Sequence, residues 1–147
     1  MNLSRLHQDI KDDEGVIYDI YLDHLGHKTF GVGHLVTQDD EEWYRPVGAS
    51  VSYERVHKCF EEDITKAINN CHRLYGEHFE TYPDEVQEVL VNMIFNLGLT
   101  GLSKFKRMNK AIDLGEYKEA AEEGRDSLWY RQVTNRAERL MKRLENV

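Results

Sequence analysis

The strand pattern of residues 16–34 is the feature that most restricts how this chain can fold. The pattern begins with a run of β-branched and aromatic residues, Val16, Ile17, Tyr18, Ile20, Tyr21 and Leu22. A turn follows around Gly26, and residues 28–34 form a return segment that contains Gly31 and Gly33. A strand-like run, a glycine turn and a return of this length are typical of a β-hairpin. We therefore predict a hairpin here, with a third short strand near Leu35 and Val36.

Helical spacing governs the rest of the chain. Leucines and an isoleucine predict a first helix over residues 3–13, and Ser52 is suited to cap a long amphipathic helix over residues 52–74. Pro83 precedes a nearly continuous apolar run over residues 86–97, which predicts a buried core helix ending at Gly98. Further helices are predicted at about residues 103–114, 116–124, 126–131 and 134–145, whereas residues 37–51 resemble a loop.

These elements predict an α+β fold that is mainly α. A small N-terminal lobe, about residues 14–62, would carry the hairpin or short antiparallel sheet. Residues 1–13 together with 75–147 would form an all-helical second lobe, and the helix over 52–74 would join the two. The length of 147 residues suits one domain of this kind.

Composition limits the partners and the compartment. The net charge of −8 disfavours binding to nucleic acid phosphates, and no apolar run approaches the roughly 18 residues of a membrane span. The N-terminus lacks a secretory signal pattern, and Cys59 and Cys71 lie too far apart on one predicted helix to form a disulfide. We expect a cytoplasmic chain without stable membrane insertion. The histidines lack a tight ligand spacing, so we expect no metal and no cofactor.

Three acids stand where the first helix should end. Asp12, Asp13 and Glu14 meet the partial negative charge of a helix C-terminus, which costs some tenths of a kcal/mol per carboxylate. The same field favours the protonated form of a carboxyl group, as a general acid requires. Strand alternation places Asp23 on one face with Ile17, Asp19 and Tyr21, and the turn returns Thr29 beside it. Two carboxyl groups in different environments are the arrangement that breaks a glycosidic bond.

Longer motifs carry a family resemblance. Glu14-Gly15, Asp23 and the segment TFGVGHL of residues 29–35 resemble the catalytic hairpin of the phage-type lysozymes, glycoside hydrolase family 24. The spacings also match that family, with nine positions from Glu14 to Asp23 and six from Asp23 to Thr29. The segments NMIFNLGLTG of residues 92–101 and SLWYRQVTNRA of residues 127–137 are similar to that family's core helix and late Trp-Tyr segment. The resemblance covers nearly the whole chain and implies a lysozyme-like fold.

The resemblance also implies a reaction. Glu14 would protonate the leaving glycosidic oxygen, while Asp23 and Thr29 would position and polarise the attacking water. The family is regarded as inverting, which implies carboxyl groups roughly 6.5 to 9.5 Å apart. The substrate would be peptidoglycan, cut at the β-1,4 bond between N-acetylmuramic acid and N-acetylglucosamine.

Other positions match supporting residues of the family. Leu35 and Phe95 resemble glycan-contacting residues. Arg136 corresponds to an arginine that pairs with the catalytic glutamate, an interaction that favours the ionised carboxylate. His34 resembles a histidine that pairs with an aspartate, which here would be Asp63.

The chain also departs from the family pattern. Two further glycan-contact positions hold Met108 and Glu123, which lack the hydroxyl and amide found there in the family. The chain is acidic, whereas well-known soluble members are basic, so electrostatic steering toward an anionic wall should be weaker. Residues 124–130 also resemble the lysozyme domain built into phage tail baseplates.

Three functions follow from these observations. The first is a muramidase for host lysis or for infection, acting as a monomer after release from the host cytoplasm to the wall. By analogy, a lysis role implies a separate membrane-permeabilising protein. The second is a relative that prefers chitin or chito-oligosaccharides, and the third is a wall-binding module without turnover. The presence of all three candidate catalytic residues argues against the third.

Overall fold

A computed structural model describes residues 1–147 and divides them into two compact units. One unit comprises His7–Thr65, and the other comprises Met1–Leu6 with Lys66–Val147. The predicted division assigned residues 1–13 to the helical lobe, whereas the structure places the first helix from His7 onward with the hairpin. The reason is local packing, because the His7 ring and the Lys11 ammonium group both contact the Phe60 ring, with centroid distances of 5.6 Å.

The first unit contains the helix α1 and a small sheet. Helix α1 spans Leu3–Glu14, and the strands β1 (Ile17–Leu22), β2 (Lys28–Gly31) and β3 (His34–Leu35) form an antiparallel sheet in the order β1-β2-β3. The predicted hairpin and third strand are therefore confirmed. A 3-10 turn at Glu41–Tyr44 lies in the segment predicted to be loop.

The sheet register corrects one expectation. Ile17 pairs with Gly31, Tyr21 pairs with Thr29 and Leu22 pairs with Lys28, so a bulge interrupts β1 between Ile17 and Tyr21. Asp19 instead forms an isolated bridge with Ser50, whose hydroxyl donates to the Asp19 carboxylate at 3.3 Å. Strict alternation from Ile17 to Asp23 was wrong, because a bulge inserts residues on one strand without partners on the other.

An apolar cluster lies beneath the sheet of the first unit. It is formed by Ile20, Phe30, Val36, Val51, Val56 and Cys59. Strand residues and the first turns of the next helix both contribute, which fixes one face of β2 against that helix.

Seven helices account for most of the chain. After α1 these are α2 (Tyr53–Tyr75), α3 (Asp84–Ser103), α4 (Lys106–Asp113), α5 (Tyr117–Arg125), α6 (Leu128–Gln132) and α7 (Thr134–Glu145). Ser52 caps α2 as predicted, since its hydroxyl accepts from the Arg55 amide at 3.1 Å. A 3-10 segment at Gly76–Thr81 follows α2. No helix combines the length and apolar character needed to cross a membrane.

The second unit is entirely helical, as predicted. Helix α3 begins after Pro83 and supplies the core, and Gly98, with φ +75° and ψ 169°, interrupts the helical backbone at the predicted stop. Helical residues resume after the glycine and continue to Ser103. Close packing at Gly124 joins α5 to α7, where a β-carbon would collide with the Met141 sulfur. The predicted α+β class with mainly helical content is confirmed.

Candidate active site

Glu14 is the last residue of α1 and lies half-buried at the start of the hairpin. Its position is fixed by Gly15, which has φ +75° and donates its N–H to the Lys11 carbonyl at 2.8 Å. A glycine in the left-handed region is the common way to end a helix, because other residues pay a steric cost there. The chain therefore turns sharply after Glu14 and enters β1.

Gly33, in the turn between β2 and β3, approaches the Glu14 carboxyl group closely. Its φ is +63°, and a β-carbon here would lie 2.9 Å from Glu14 Oε2 and 3.3 Å from Cδ. Both the backbone conformation and the contact require glycine. The turn thus forms one wall around the carboxyl group.

Asp23 is held at the other end of β1 by its own turn. Its Oδ1 accepts backbone N–H groups from His27 at 2.8 Å and Leu25 at 2.9 Å. The bond from His27, and to a lesser extent that from Leu25, lowers the pKa of Asp23 below its ordinary value. Asp23 is consequently ionised at neutral pH, as a group that accepts a proton from water must be.

His27 connects Asp23 to Thr29 through its backbone. The His27 carbonyl accepts from the Asp23 amide at 2.9 Å and from the Thr29 hydroxyl at 3.0 Å. The Thr29 side chain is buried, with 4% of the residue exposed, so its hydroxyl direction is fixed. The His27 ring also faces Asp23, with Nδ1 3.6 Å from Oδ2. Sequence reasoning did not single out His27, because a backbone role leaves no side-chain pattern.

Tyr21 lies near both carboxylates. Burial raises its pKa, and the negative charges of Glu14 and Asp23 raise the pKa further. Its register partner is Thr29. A phenol influenced by both acids and paired with the threonine shows that the hairpin brings Glu14, Asp23 and Thr29 to one region of the first unit. The strand pattern included this tyrosine, but no motif pointed to a place for it in the site.

Comparisons with known proteins identify the family. A family model described as phage lysozyme matches residues 11–146, a range that contains Glu14, Asp23 and Thr29. The chain belongs to the phage lysozyme family. It is thus a lysozyme, a glycoside hydrolase that acts on peptidoglycan.

This lysozyme is also similar to individual proteins. It is 29% identical over 157 aligned positions to a probable T4-type lysozyme of Dictyostelium discoideum, covering 95% of this chain and 92% of that protein. It is also 30% identical over 148 positions to the pre-baseplate central spike protein Gp5 of enterobacteria phage T4. That match covers 89% of this chain but spans only 26% of the spike protein. The predicted resemblance to phage-type lysozymes, with a baseplate likeness, is confirmed.

His34 of this lysozyme is bound between two carboxylates. Its Nδ1 lies 2.7 Å from Asp63 Oδ2, the pair that the resemblance implied, and its Nε2 lies 2.9 Å from Asp40 Oδ2. Burial lowers the pKa of His34, but the hydrogen bonds and charges of Asp63 and Asp40 outweigh burial and raise the pKa above its ordinary value. The imidazole therefore fastens β3 to α2 and to the segment before the 3-10 turn.

The same network continues to Arg55. Its guanidinium group donates to Asp40 at 3.0 Å and to Glu42 at 2.9 and 3.1 Å. The Glu42 side chain is fully buried, and Arg55 lowers its pKa against the opposing effect of burial. The sequence did not predict that a carboxylate in this loop segment would be buried, because its partner Arg55 lies 13 positions away on α2.

The remaining predicted residues lie on different elements. Leu35 is on β3 in the first unit, where it pairs with Thr29 and is half exposed. Phe95 is half-buried on α3 in the second unit, and Arg136 is buried on α7, where its Nε donates to Asn92 at 2.9 Å. The expected contacts of these residues with glycan and with Glu14 stay predictions.

Met108 and Glu123 lie in one surface pocket of the second unit, between the start of α4 and the end of α5. Met108 is almost fully buried there, whereas Glu123 lies half-buried at the pocket wall. Trp129 is buried, with its indole N–H donating to Asn96 at 2.8 Å.

The structure contains no group of three or more His, Cys, Asp or Glu side chains arranged to hold an ion. Cys59 and Cys71 are free and buried.

Proposed function

We propose that this lysozyme cleaves the β-1,4 bond between N-acetylmuramic acid and N-acetylglucosamine with Glu14 as the general acid. The observation that carries the proposal is that Glu14, at the end of α1, lies against a turn of the small sheet that also carries Asp23 and Thr29. Gly33 encloses the Glu14 carboxyl group, and the backbone of His27 holds the two other side chains.

The two carboxyl groups divide the work of an inverting hydrolysis. The Glu14 proton passes to the glycosidic oxygen as the bond from that oxygen to the anomeric carbon breaks. Asp23, ionised because backbone N–H groups stabilise its charge, accepts a proton from the attacking water. The Thr29 hydroxyl directs its proton to the His27 carbonyl, which leaves its oxygen lone pairs available to the same water.

Leu35 supports the site in this proposal, because it offers an apolar surface next to Thr29. The roles that the resemblance implied for Phe95 and Arg136 stay predictions.

Glu14→Gln is the decisive variant. The amide cannot donate the proton, so we expect clearing of chloroform-treated Gram-negative cells to slow at least about 100-fold. Stability should change little, because the substitution removes one charge from an acidic helix end. Asp23→Ala should lose activity to a similar degree.

Asp12→Asn is the matched control, since it removes an acid from the same helical turn and should keep activity. Undiminished clearing by Glu14→Gln would refute the general-acid role. Binding to cell walls without clearing by the unmodified protein would indicate a wall-binding module. Faster release of products from chito-oligosaccharides than from peptidoglycan would indicate the chitin-preferring alternative. Nuclear magnetic resonance of the first product anomer tests inversion.

The biological setting is part of the proposal. The lysozyme acts at host lysis or during infection, as a monomer or within a larger assembly such as the spike protein that it resembles. In the lysis role it collects in the host cytoplasm and reaches the periplasm through a separate membrane-permeabilising protein. Expression with and without such a protein, followed by culture turbidity, separates the two roles.

A further inference from the structure

His27 approaches both oxygens of the Asp23 carboxylate. Its backbone N–H donates to Asp23 Oδ1 at 2.8 Å, and its ring Nδ1 lies 3.6 Å from Oδ2. The two residues are four positions apart in one tight turn, in which the Gly26 amide also donates to the Asp23 carbonyl at 2.9 Å. The turn therefore places a titratable ring beside the carboxylate that holds the attacking water in the proposed reaction.

The two oxygens of Asp23 differ in what they still have to offer. Oδ1 accepts the backbone N–H groups of Leu25 at 2.9 Å and His27 at 2.8 Å. A carboxylate oxygen has about two lone-pair sites, so these two bonds fill Oδ1. The attacking water of the proposed reaction therefore has to bind Oδ2, which is the oxygen that the His27 ring faces.

The charge of the His27 ring decides whether Oδ2 is open. At 3.6 Å the ring nitrogen lies beyond the length of an ordinary N–H···O bond, so a neutral imidazole leaves this oxygen accessible. A protonated imidazole carries an N–H on both nitrogens and is attracted to the carboxylate. The His27 side chain is 57% exposed, so the ring is free to rotate the short distance that closes the contact. Histidine is the side chain that changes charge between about pH 5 and 8.

Other titratable groups occupy neighbouring positions on α1, β1, the turn and β2, namely Glu14, Tyr21, His24 and Lys28. After the backbone bond from His27, the charges of His27 and, more weakly, of His24 lower the pKa of Asp23. Burial raises the pKa of Tyr21, followed by the charges of Glu14 and Asp23, so the phenol stays neutral in the acid range. The Lys28 ammonium group is bound by two backbone carbonyls. Of these groups, the His27 ring is the one that makes an ion-pair contact with Asp23.

We propose that His27 is a positioning residue that sets the lower pH limit of hydrolysis, because its protonated ring binds Asp23 Oδ2 and displaces the attacking water. The inference rests on the proposed function. As pH rises, the ring releases its proton to solvent, Oδ2 becomes free, and water binds there. The ring therefore acts on the reaction through Asp23, and its effect is reversible.

The pH dependence of kcat on purified glycan strands tests this role. His27→Gln removes the titratable ring, while the backbone of residue 27 keeps its three bonds to Asp23 and Thr29. We expect kcat of His27→Gln to exceed that of the unmodified lysozyme about fivefold at about pH 5, and to match it within about twofold at about pH 8. The ratio of the two rates cancels the titration of Glu14 and of the substrate, which both proteins share.

Two further substitutions at the same position separate charge from shape. His27→Phe keeps a ring without an N–H group and should behave as His27→Gln does. His27→Lys carries a positive charge at both pH values, so its kcat should stay about fivefold below that of the unmodified lysozyme at about pH 8. Raising the salt concentration from about 0.05 to 0.5 M should reduce the advantage of His27→Gln at about pH 5, because salt screens an exposed ion pair.

His24→Gln is the matched control, since it removes the other imidazole of the turn and should give the kcat of the unmodified lysozyme within about twofold at both pH values. A ratio of His27→Gln to unmodified kcat that is the same at both pH values, or that is below one at about pH 5, would overturn the role of His27 and leave the proposed function intact. An unmodified protein that releases no product at any pH would overturn the proposed function. Thermal unfolding at about pH 5 identifies a variant that is not folded, and His27→Phe then replaces His27→Gln in the comparison.

Discussion

Gly33→Ala should separate stability from catalysis. The added methyl group would lie 2.9 Å from Glu14 Oε2, inside the roughly 3.5 Å of an ordinary contact. The carboxyl group is the far end of a flexible side chain, so it should retreat by about 0.6 Å at little cost in folding energy. Misplacement of a catalytic group by about 1 Å can cost about 100-fold in rate, so we expect a loss of about 10- to 100-fold.

The backbone contributes a separate and calculable cost. Alanine at φ +63° would destabilise the protein by about 1 to 2 kcal/mol, which lowers the melting temperature by about 2 to 8 °C. Gly115→Ala is the matched control, because its φ is +72° and no atom lies within 4 Å of the added β-carbon. It should lose the same stability and keep its activity.

The assay pairs thermal unfolding with the turbidity rate at 25 °C, where both variants are folded. Equal melting temperatures with a selective loss of rate in Gly33→Ala would support the geometry described here. Equal rates in the two variants would show that the Gly33 contact does not position Glu14 for catalysis.

Two further predictions concern the His34 network. Asp63→Asn should lower the free energy of unfolding most below about pH 6.5, where the raised pKa keeps His34 protonated in the folded protein. The difference in unfolding free energy from the unmodified protein should shrink as pH rises through that pKa. A difference that grows with pH in chemical denaturation would contradict this sign. Arg55→Met should cost about 3 kcal/mol, at the lower end for a broken buried pair because the Arg55 side chain is 25% exposed. Adding Glu42→Gln should recover part of that loss, and a double variant less stable than the single one would argue against a penalty from the unpaired buried carboxylate.

Local sequence patterns were sufficient to predict the elements that carry much of the candidate site. The hairpin follows from β-branched and aromatic residues around a glycine turn, and both signals act over a few positions. The spacing of Glu14, Asp23 and Thr29 follows from the same short stretch. Because these side chains are carried by neighbouring elements, their placement needs no distant contact.

Other features depended on contacts that a local pattern does not encode. The segment before α2 is rich in acids and looks like a solvated loop, yet Glu42 is fully buried against Arg55. The bulge in β1 likewise depends on pairing, because it is defined by the register of β1 against β2.

The sequence by itself determined the α+β class, the hairpin and the order of the candidate catalytic side chains, because propensities and glycine conformations act over a few residues. Tertiary structure decided which groups surround those side chains. The contact of Gly33 with Glu14 and the ion pair of Arg55 with Glu42 each join residues on different elements. Burial makes such pairings favourable only after the elements have packed, since a carboxylate leaves water at a large cost unless its partner is in place.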